Sequence, residues 1–117
     1  MRSNVVEEKS FVFALRVVKL YQHLLKDKDE YILSKQLLRS GTSVGANVRE
    51  ALQGQSKADF TAKMSIALKE ASETEYWLDL LYGSDYLTEE GYKSVLVDCK
   101  EVIKLLTAIV KTSRELR

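Results

Sequence analysis

Apolar residues recur every three to four positions through four long stretches of this chain, the spacing of amphipathic helices. The first stretch, Val5 to Lys26, has Asn4 as N-cap and Glu7 in the reciprocal capping-box position. Its core face is Val6, Phe13, Val17, Leu20, Tyr21 and Leu24, with Phe11, Leu15, Val18 and Leu25 beyond it. The polar cluster Asp27-Lys28-Asp29-Glu30 reads as a turn, and a second helix is expected from Tyr31 to Gln53, closed by Gly54 and Gln55. Ser56 caps a third helix, with Asp59 favoured in its first turn by the helix dipole. That helix runs to Tyr82 and is expected to stop at Gly83. Thr88 caps the fourth, with Glu89 and Glu90 in the first turn, and it runs towards Arg114. Long rods joined by short turns predict an all-α, antiparallel up-down-up-down four-helix bundle, with residues 1–117 as one domain.

The second helix holds Gly41 and Gly45 in its interior, each costing about 0.8–1.0 kcal/mol of helix preference relative to alanine. Advancing about 100° per residue, both fall on the apolar face with Leu37, Leu38, Val44, Val48, Ala51 and Leu52. A missing side chain there lets a neighbouring helix approach closely. Ser43, Asn47 and Glu50 form a polar seam beside that face. Three readings stand for the seam: hydrogen bonds across helices or subunits, solvated surface, or contacts to a ligand or RNA.

Apolar width differs among the helices. The fourth has one stripe (Tyr92, Val95, Leu96, Cys99, Val102, Ile103, Leu106, Ile109, Val110). The third has a core stripe (Phe60, Met64, Ala67, Leu68, Ala71, Leu78, Leu81) and a second on the opposite side (Ala62, Ile66, Tyr76, Trp77, Leu80). A solitary bundle needs only about a 100° stripe per helix. The surplus on the first and third helices points to self-association. Glu73 lies in the second stripe between Ile66 and Trp77, where it pairs with Lys69, is buried at a subunit boundary, or faces solvent.

Proline is absent and glycine scarce, which suits long helices. No apolar run long enough for a signal peptide precedes Glu7-Glu8-Lys9, and no uncharged stretch would span a membrane. A cytoplasmic protein without membrane contact is expected. The single cysteine, Cys99, reads as a buried structural thiol.

The net charge of +1 does not by itself announce a nucleic-acid binder, so any such surface requires segregated charge. Lys9, Arg16, Lys19 and Lys26 follow one another in the first helix with no acid between Lys9 and Lys26. Lys93, Lys100, Lys104 and Lys111 stack along the outward face of the fourth, with Arg114 and Arg117 near its end. Acids concentrate in the third helix and the turns, so the two basic faces are expected to merge into a ridge that contacts nucleic-acid phosphates. No aromatic residues interleave with these cations, so contacts would be to the backbone rather than to bases.

Ser43-Val44-x-Ala46-Asn47-Val48-x-Glu50-Ala51, then Ser56-Lys57 and Phe60, then Ser65-x-Ala67 and Glu73, resemble the 23S rRNA-intervening-sequence proteins, the S23-like four-helix bundle family. The resemblance covers nearly the whole chain. It implies a bundle that assembles as a homo-oligomeric ring, a pentamer, with no known enzymatic activity. A related branch is the accessory protein of diversity-generating retroelements, a positively charged pentameric barrel that engages nucleic acid. Arg49 and Ala51 depart from the small residue and the glycine that many members carry there.

Enzyme chemistry finds little support. His23 is the sole histidine and lacks the Glu three residues before it that a di-iron bundle needs. Gly41-Thr42-Ser43-Val44-Gly45 lacks the rest of a phosphate-binding loop. No metal, cofactor or small-molecule substrate is expected. Arg16 and His23 resemble the Arg–His pair of HEPN-type ribonucleases, in which histidine is a general base and arginine stabilises phosphate charge. No accompanying polar pocket is visible in the sequence. The leading expectation is a non-enzymatic, RNA-associated scaffold using Lys9, Arg16, Lys19, Lys93, Lys100, Lys104, Lys111 and Arg114, with Ser43, Asn47, Glu50, Ile66, Glu73 and Trp77 at interfaces. A protein-interaction adaptor without nucleic acid is the alternative, and a metal-independent ribonuclease the remote one.

Overall fold

A computed structural model describes residues 4–115 and contains four helices: α1 (Val5–Lys28), α2 (Leu33–Leu52), α3 (Lys57–Gly83) and α4 (Glu89–Glu115). Arg117 lies outside the described residues. No strand occurs among the described residues. The helices pack around one shared core in a body of 46 × 24 × 20 Å.

Three expected caps form. The Asn4 Oδ1 accepts the Glu7 N–H at 3.0 Å, Ser56 Oγ accepts the Asp59 N–H at 3.0 Å, and Thr88 Oγ1 accepts the Gly91 N–H at 3.0 Å. The carboxylate of Glu7, expected to complete a capping box, instead receives Arg49 Nε at 3.3 Å.

The first turn departs from expectation. α1 continues to Lys28 and ends where Asp29 takes a left-handed conformation (φ 53°). Aspartate is among the few non-glycine residues that tolerate this region. Glu30 is buried rather than solvated. Its Oε2 accepts the N–H groups of Ile32 and Leu33 at 3.1 and 2.9 Å, and its Oε1 accepts that of Ser34 at 2.6 Å. Ser34 Oγ donates back to the Glu30 carbonyl at 2.8 Å. Glu30 thus satisfies the open amides at the head of α2, so that helix begins at Leu33 rather than Tyr31. Burial alone would raise the Glu30 pKa. The amides of Leu33, Ser34 and Ile32 stabilise the ionised form more, and hold it below the ordinary value. The other corrected boundary is at the end of α3, where Gly83 stays helical and Asp85 (φ 70°) makes the left-handed reversal.

Helix backbones approach closely from α1 to α2, α2 to α3 and α3 to α4, and least between α1 and α4. The core comprises Phe13, Val17 and Leu24 of α1, Leu37, Val44 and Val48 of α2, Met64, Ala67, Ala71 and Leu78 of α3, and Cys99, Val102 and Leu106 of α4. Small hydroxyl residues join it. Ser40 and Thr74, both fully buried, put their oxygens 2.9 Å apart between α2 and α3.

The two interior glycines of α2 differ. A methyl group on Gly41 would lie 2.7 and 2.8 Å from the two γ-carbons of Val17, closer than atoms can pack. One on Gly45 would lie 3.4 Å from the Ser10 carbonyl oxygen, an ordinary contact. Only Gly41 is required for the approach of α1 to α2.

In Gly41→Ala, overpacking of about 1–3 kcal/mol against buried Val17 outweighs the gain of about 1 kcal/mol in helix propensity. In Gly45→Ala the propensity gain dominates. Urea unfolding midpoints of the two variants should therefore move in opposite directions from the parent. For Glu30, removing the capping oxygens in Glu30→Ala should cost about 1–2 kcal/mol near neutral pH. Because the folded-state pKa is lowered, the ionised carboxyl's contribution is fully present above the ordinary value of 4.5. It is lost as pH falls through the lowered folded value. Urea titrations across the acid range should accordingly show the stability gap between parent and Glu30→Gln shrinking as pH falls.

Candidate nucleic-acid interface

The expected basic ridge divides into two populations. On the α1–α4 seam the cations are matched by acids of α4. Lys9 Nζ lies 3.2 Å from both Glu101 carboxylate oxygens. Arg16 donates to Asp98 Oδ2 at 2.8 Å, to the Ser94 carbonyl at 3.1 Å and to Ser94 Oγ at 2.9 Å. Lys93 pairs with Glu89 at 2.7 Å within α4. The first and last helices therefore do not meet as two bare cationic faces. Asp98 and Glu101, one helical turn apart, stand between them. Sequence reasoning gave these acids too little weight, although their three-residue spacing on the face toward α1 was the available signal.

The second population is unneutralised. Lys100, Lys104 and Lys111 are exposed on the outer side of α4 and Lys19 on α1, none with an ion-pair partner among the described residues. Arg114 Nη2 reaches Ser65 Oγ at 3.4 Å, a long contact that leaves its charge unmatched.

The seam on α2 is mostly local. Asn47 Nδ2 donates to the Ser43 carbonyl one turn back at 2.9 Å, and Glu50 pairs with Lys63 of α3 at 2.9 Å. Glu73 pairs with Arg39 of α2 rather than with Lys69 and also accepts from Trp77 Nε1 at 2.9 Å. Arg39 extends the cluster to Glu70 at 3.2 Å. Tyr76 stands edge-on to Trp77 with ring centres 5.1 Å apart. Ile66, Tyr76 and Leu80 remain exposed on α3, and Phe11 and Leu15 on α1, where Arg49 lies 5.8 Å from the Phe11 ring centre.

Arg16 and His23, for which the sequence shows no accompanying polar pocket, line one together. A cavity of about 440 Å³ lies between α1 and the turn into α4, with Arg16, Lys19, His23 and Lys28 on its wall. His23 Nδ1 is 2.8 Å from Asp27 Oδ2. An apolar groove of about 470 Å³ lies between the start of α3 and the end of α4, beside Phe60 and Ile109. Cys99 is fully buried, with Sγ 3.5 Å from the Ala71 carbonyl. Burial, reinforced by Glu75 and Asp79, raises its pKa to about 12, so the thiol stays protonated and serves packing. No group of residues able to hold a metal ion occurs among the described residues, and no helix is long and apolar enough to cross a membrane.

A family model described as 23S rRNA-intervening sequence protein matches residues 2–108. Among solved structures, the chain is similar to a protein with unknown function from the S23 ribosomal protein family of Bacteroides thetaiotaomicron VPI-5482. Sequence identity to it is 56%, the match covers 95% of this chain and 99% of that one, and the TM-score is 0.91. No curated protein matches.

Proposed function

The chain belongs to the 23S rRNA-intervening sequence protein family, and from that premise we propose a non-enzymatic, antiparallel four-helix scaffold that forms a homo-oligomeric ring and associates with RNA. The antiparallel reading is supported by contacts whose numbers rise along one helix as they fall along its neighbour. Lys9 meets Glu101 where Arg16 meets Asp98, and Ser65 meets Arg114 where Asp79 meets Tyr92.

The observation that carries the RNA reading is the row of Lys100, Lys104 and Lys111. At spacings of four and seven residues they share one face of α4, and no carboxylate among the described residues neutralises them. Such a row suits phosphates and offers no base readout, so binding would be insensitive to sequence and sensitive to salt. The family description points to RNA as the polyanion. Self-association rests on the exposed Phe11 and Leu15 of α1 and Ile66, Tyr76 and Leu80 of α3. The ring, a pentamer by family resemblance, repeats the lysine row around its circumference. A cytoplasmic location suits this role.

Light scattering should give a parent mass that is a multiple of 13.3 kDa, five-fold for the pentamer. Leu15→Glu combined with Ile66→Glu should bring it down to the single-chain value. A monomeric parent at micromolar concentration would remove the ring. Titration of a single-stranded RNA at increasing salt should show affinity falling, with a log–log slope of about 0.7 per phosphate contacted. Replacing Lys100, Lys104 and Lys111 by glutamate should reduce that slope by about 2 or more. An unchanged slope would remove the lysine row as the binding surface, and no RNA affinity even at low salt would instead favour the protein-interaction adaptor.

A further inference from the structure

The cavity between α1 and the α3–α4 turn is built differently from the lysine row. Its wall combines two kinds of side chain. Leu20, Val95, Tyr86 and Leu87 supply the apolar part, and Arg16, Lys19 and Lys28, with His23, the polar part. Thr88 and Gly91, at the head of α4, complete the lining. No carboxylate lines it. Asp98 pairs with Arg16 and Asp27 with His23, and neither carboxylate lines the pocket. Each holds its partner in place by hydrogen bonds, while Lys19 and Lys28 have no ion-pair partner among the described residues. A volume of about 440 Å³ falls in the range of roughly 300–1,000 Å³ typical of small-ligand sites.

A pocket that combines an aromatic ring and aliphatic side chains with a cluster of cations suits a flat body carrying an anionic group. We propose that this cavity binds a phosphate monoester carried on a nucleoside, the phosphate at Arg16, Lys19 and Lys28 and the base against Tyr86 and Leu87. Two sources share this chemistry: a free nucleoside monophosphate and the 5′-phosphorylated end of an RNA strand. The site does not depend on the lysine row of α4 and shares none of its residues.

Isothermal titration calorimetry with adenosine 5′-monophosphate, adenosine and inorganic phosphate tests the proposal on the full chain. The nucleotide should bind at least about tenfold more tightly than either fragment, because each fragment engages only part of the wall. Paired short RNAs with 5′-phosphate and 5′-hydroxyl ends then separate the sources. A preference for the phosphorylated RNA that free nucleotide competes away places strand ends in the site, and nucleotide binding without that preference assigns it to the free molecule. Lys19→Glu with Lys28→Glu changes exposed side chains only and should weaken nucleotide binding at least about tenfold without shifting the thermal unfolding midpoint by much. Gly91→Val, which adds bulk to the wall and keeps every cation, should weaken it as well. Glutamate at Lys100, Lys104 and Lys111 should leave it unchanged. Adenosine binding as tightly as its monophosphate, or parent-like affinity in both pocket variants, would overturn the assignment.

Discussion

The bundle is organised by the fit of Val17 into the side of α2 where Gly41 has no side chain. Val17 is fully buried, and its γ-carbons occupy the space that any other residue at position 41 would need. That contact fixes the rotation of α1 about its own axis as well as its distance from α2. With Phe13, Val17 and Leu24 turned inward, residues about 100° to one side face α4, and those on the other flank lie beside α2. Lys9 and Arg16 accordingly reach Glu101 and Asp98, while Phe11 stands next to Arg49. One steric constraint therefore decides which residues outside the core face of α1 grip α4 and which are left as exposed apolar surface.

The same constraint accounts for the asymmetry of the packing. α1 is drawn towards α2, and its backbone stays farther from α4 than any other neighbouring pair. Long side chains bridge that wider seam in part, through pairs between half-exposed groups that contribute only about 0–1 kcal/mol each. At the end of the seam beside the α3–α4 turn, the gap opens into the cavity walled by Arg16, Lys19, His23 and Lys28. The left-handed Asp85 lets the chain double back there, bringing Tyr86 and Leu87 into its lining. Tight packing on one side of α1 and an open pocket on the other are two results of one placement.

Most of the helical architecture is legible in the sequence because it rests on local signals. Asn4, Ser56 and Thr88 act within three residues of themselves, and the apolar period along each helix needs no knowledge of its neighbours. The reading fails where a side chain's partner is remote or its burial is atypical. Glu30 sits in a run of charged residues that looks like a solvated turn, yet it is enclosed by the amides it caps. Ser10, Ser34, Ser40 and Thr74 look polar and are core residues, because a hydroxyl small enough to bond within the bundle need not reach water. Gly41 and Gly45 are indistinguishable by spacing, and only the position of Val17 separates them. In the candidate interface, the residues of Arg16–Asp98 and Lys9–Glu101 lie 82 and 92 positions apart, so no periodicity along one helix could pair them.

A near-zero net charge is a poor guide to such a surface, because neutralisation is itself spatial. Asp98, Glu101, Glu89, Glu50 and Glu7 are committed to Arg16, Lys9, Lys93, Lys63 and Arg49, and Glu70 and Glu73 to Arg39. These pairs contribute nearly equal numbers of each sign, and at distances beyond about 10 Å in physiological salt their fields largely cancel. Among the cations these pairs leave, Lys100, Lys104 and Lys111 form a row along α4, and Lys19 and Lys28 line a pocket. The row offers charge without enclosure and suits a polymer backbone that slides. The pocket adds an apolar wall and fixed hydrogen-bond donors, which suit one terminal group held in one orientation.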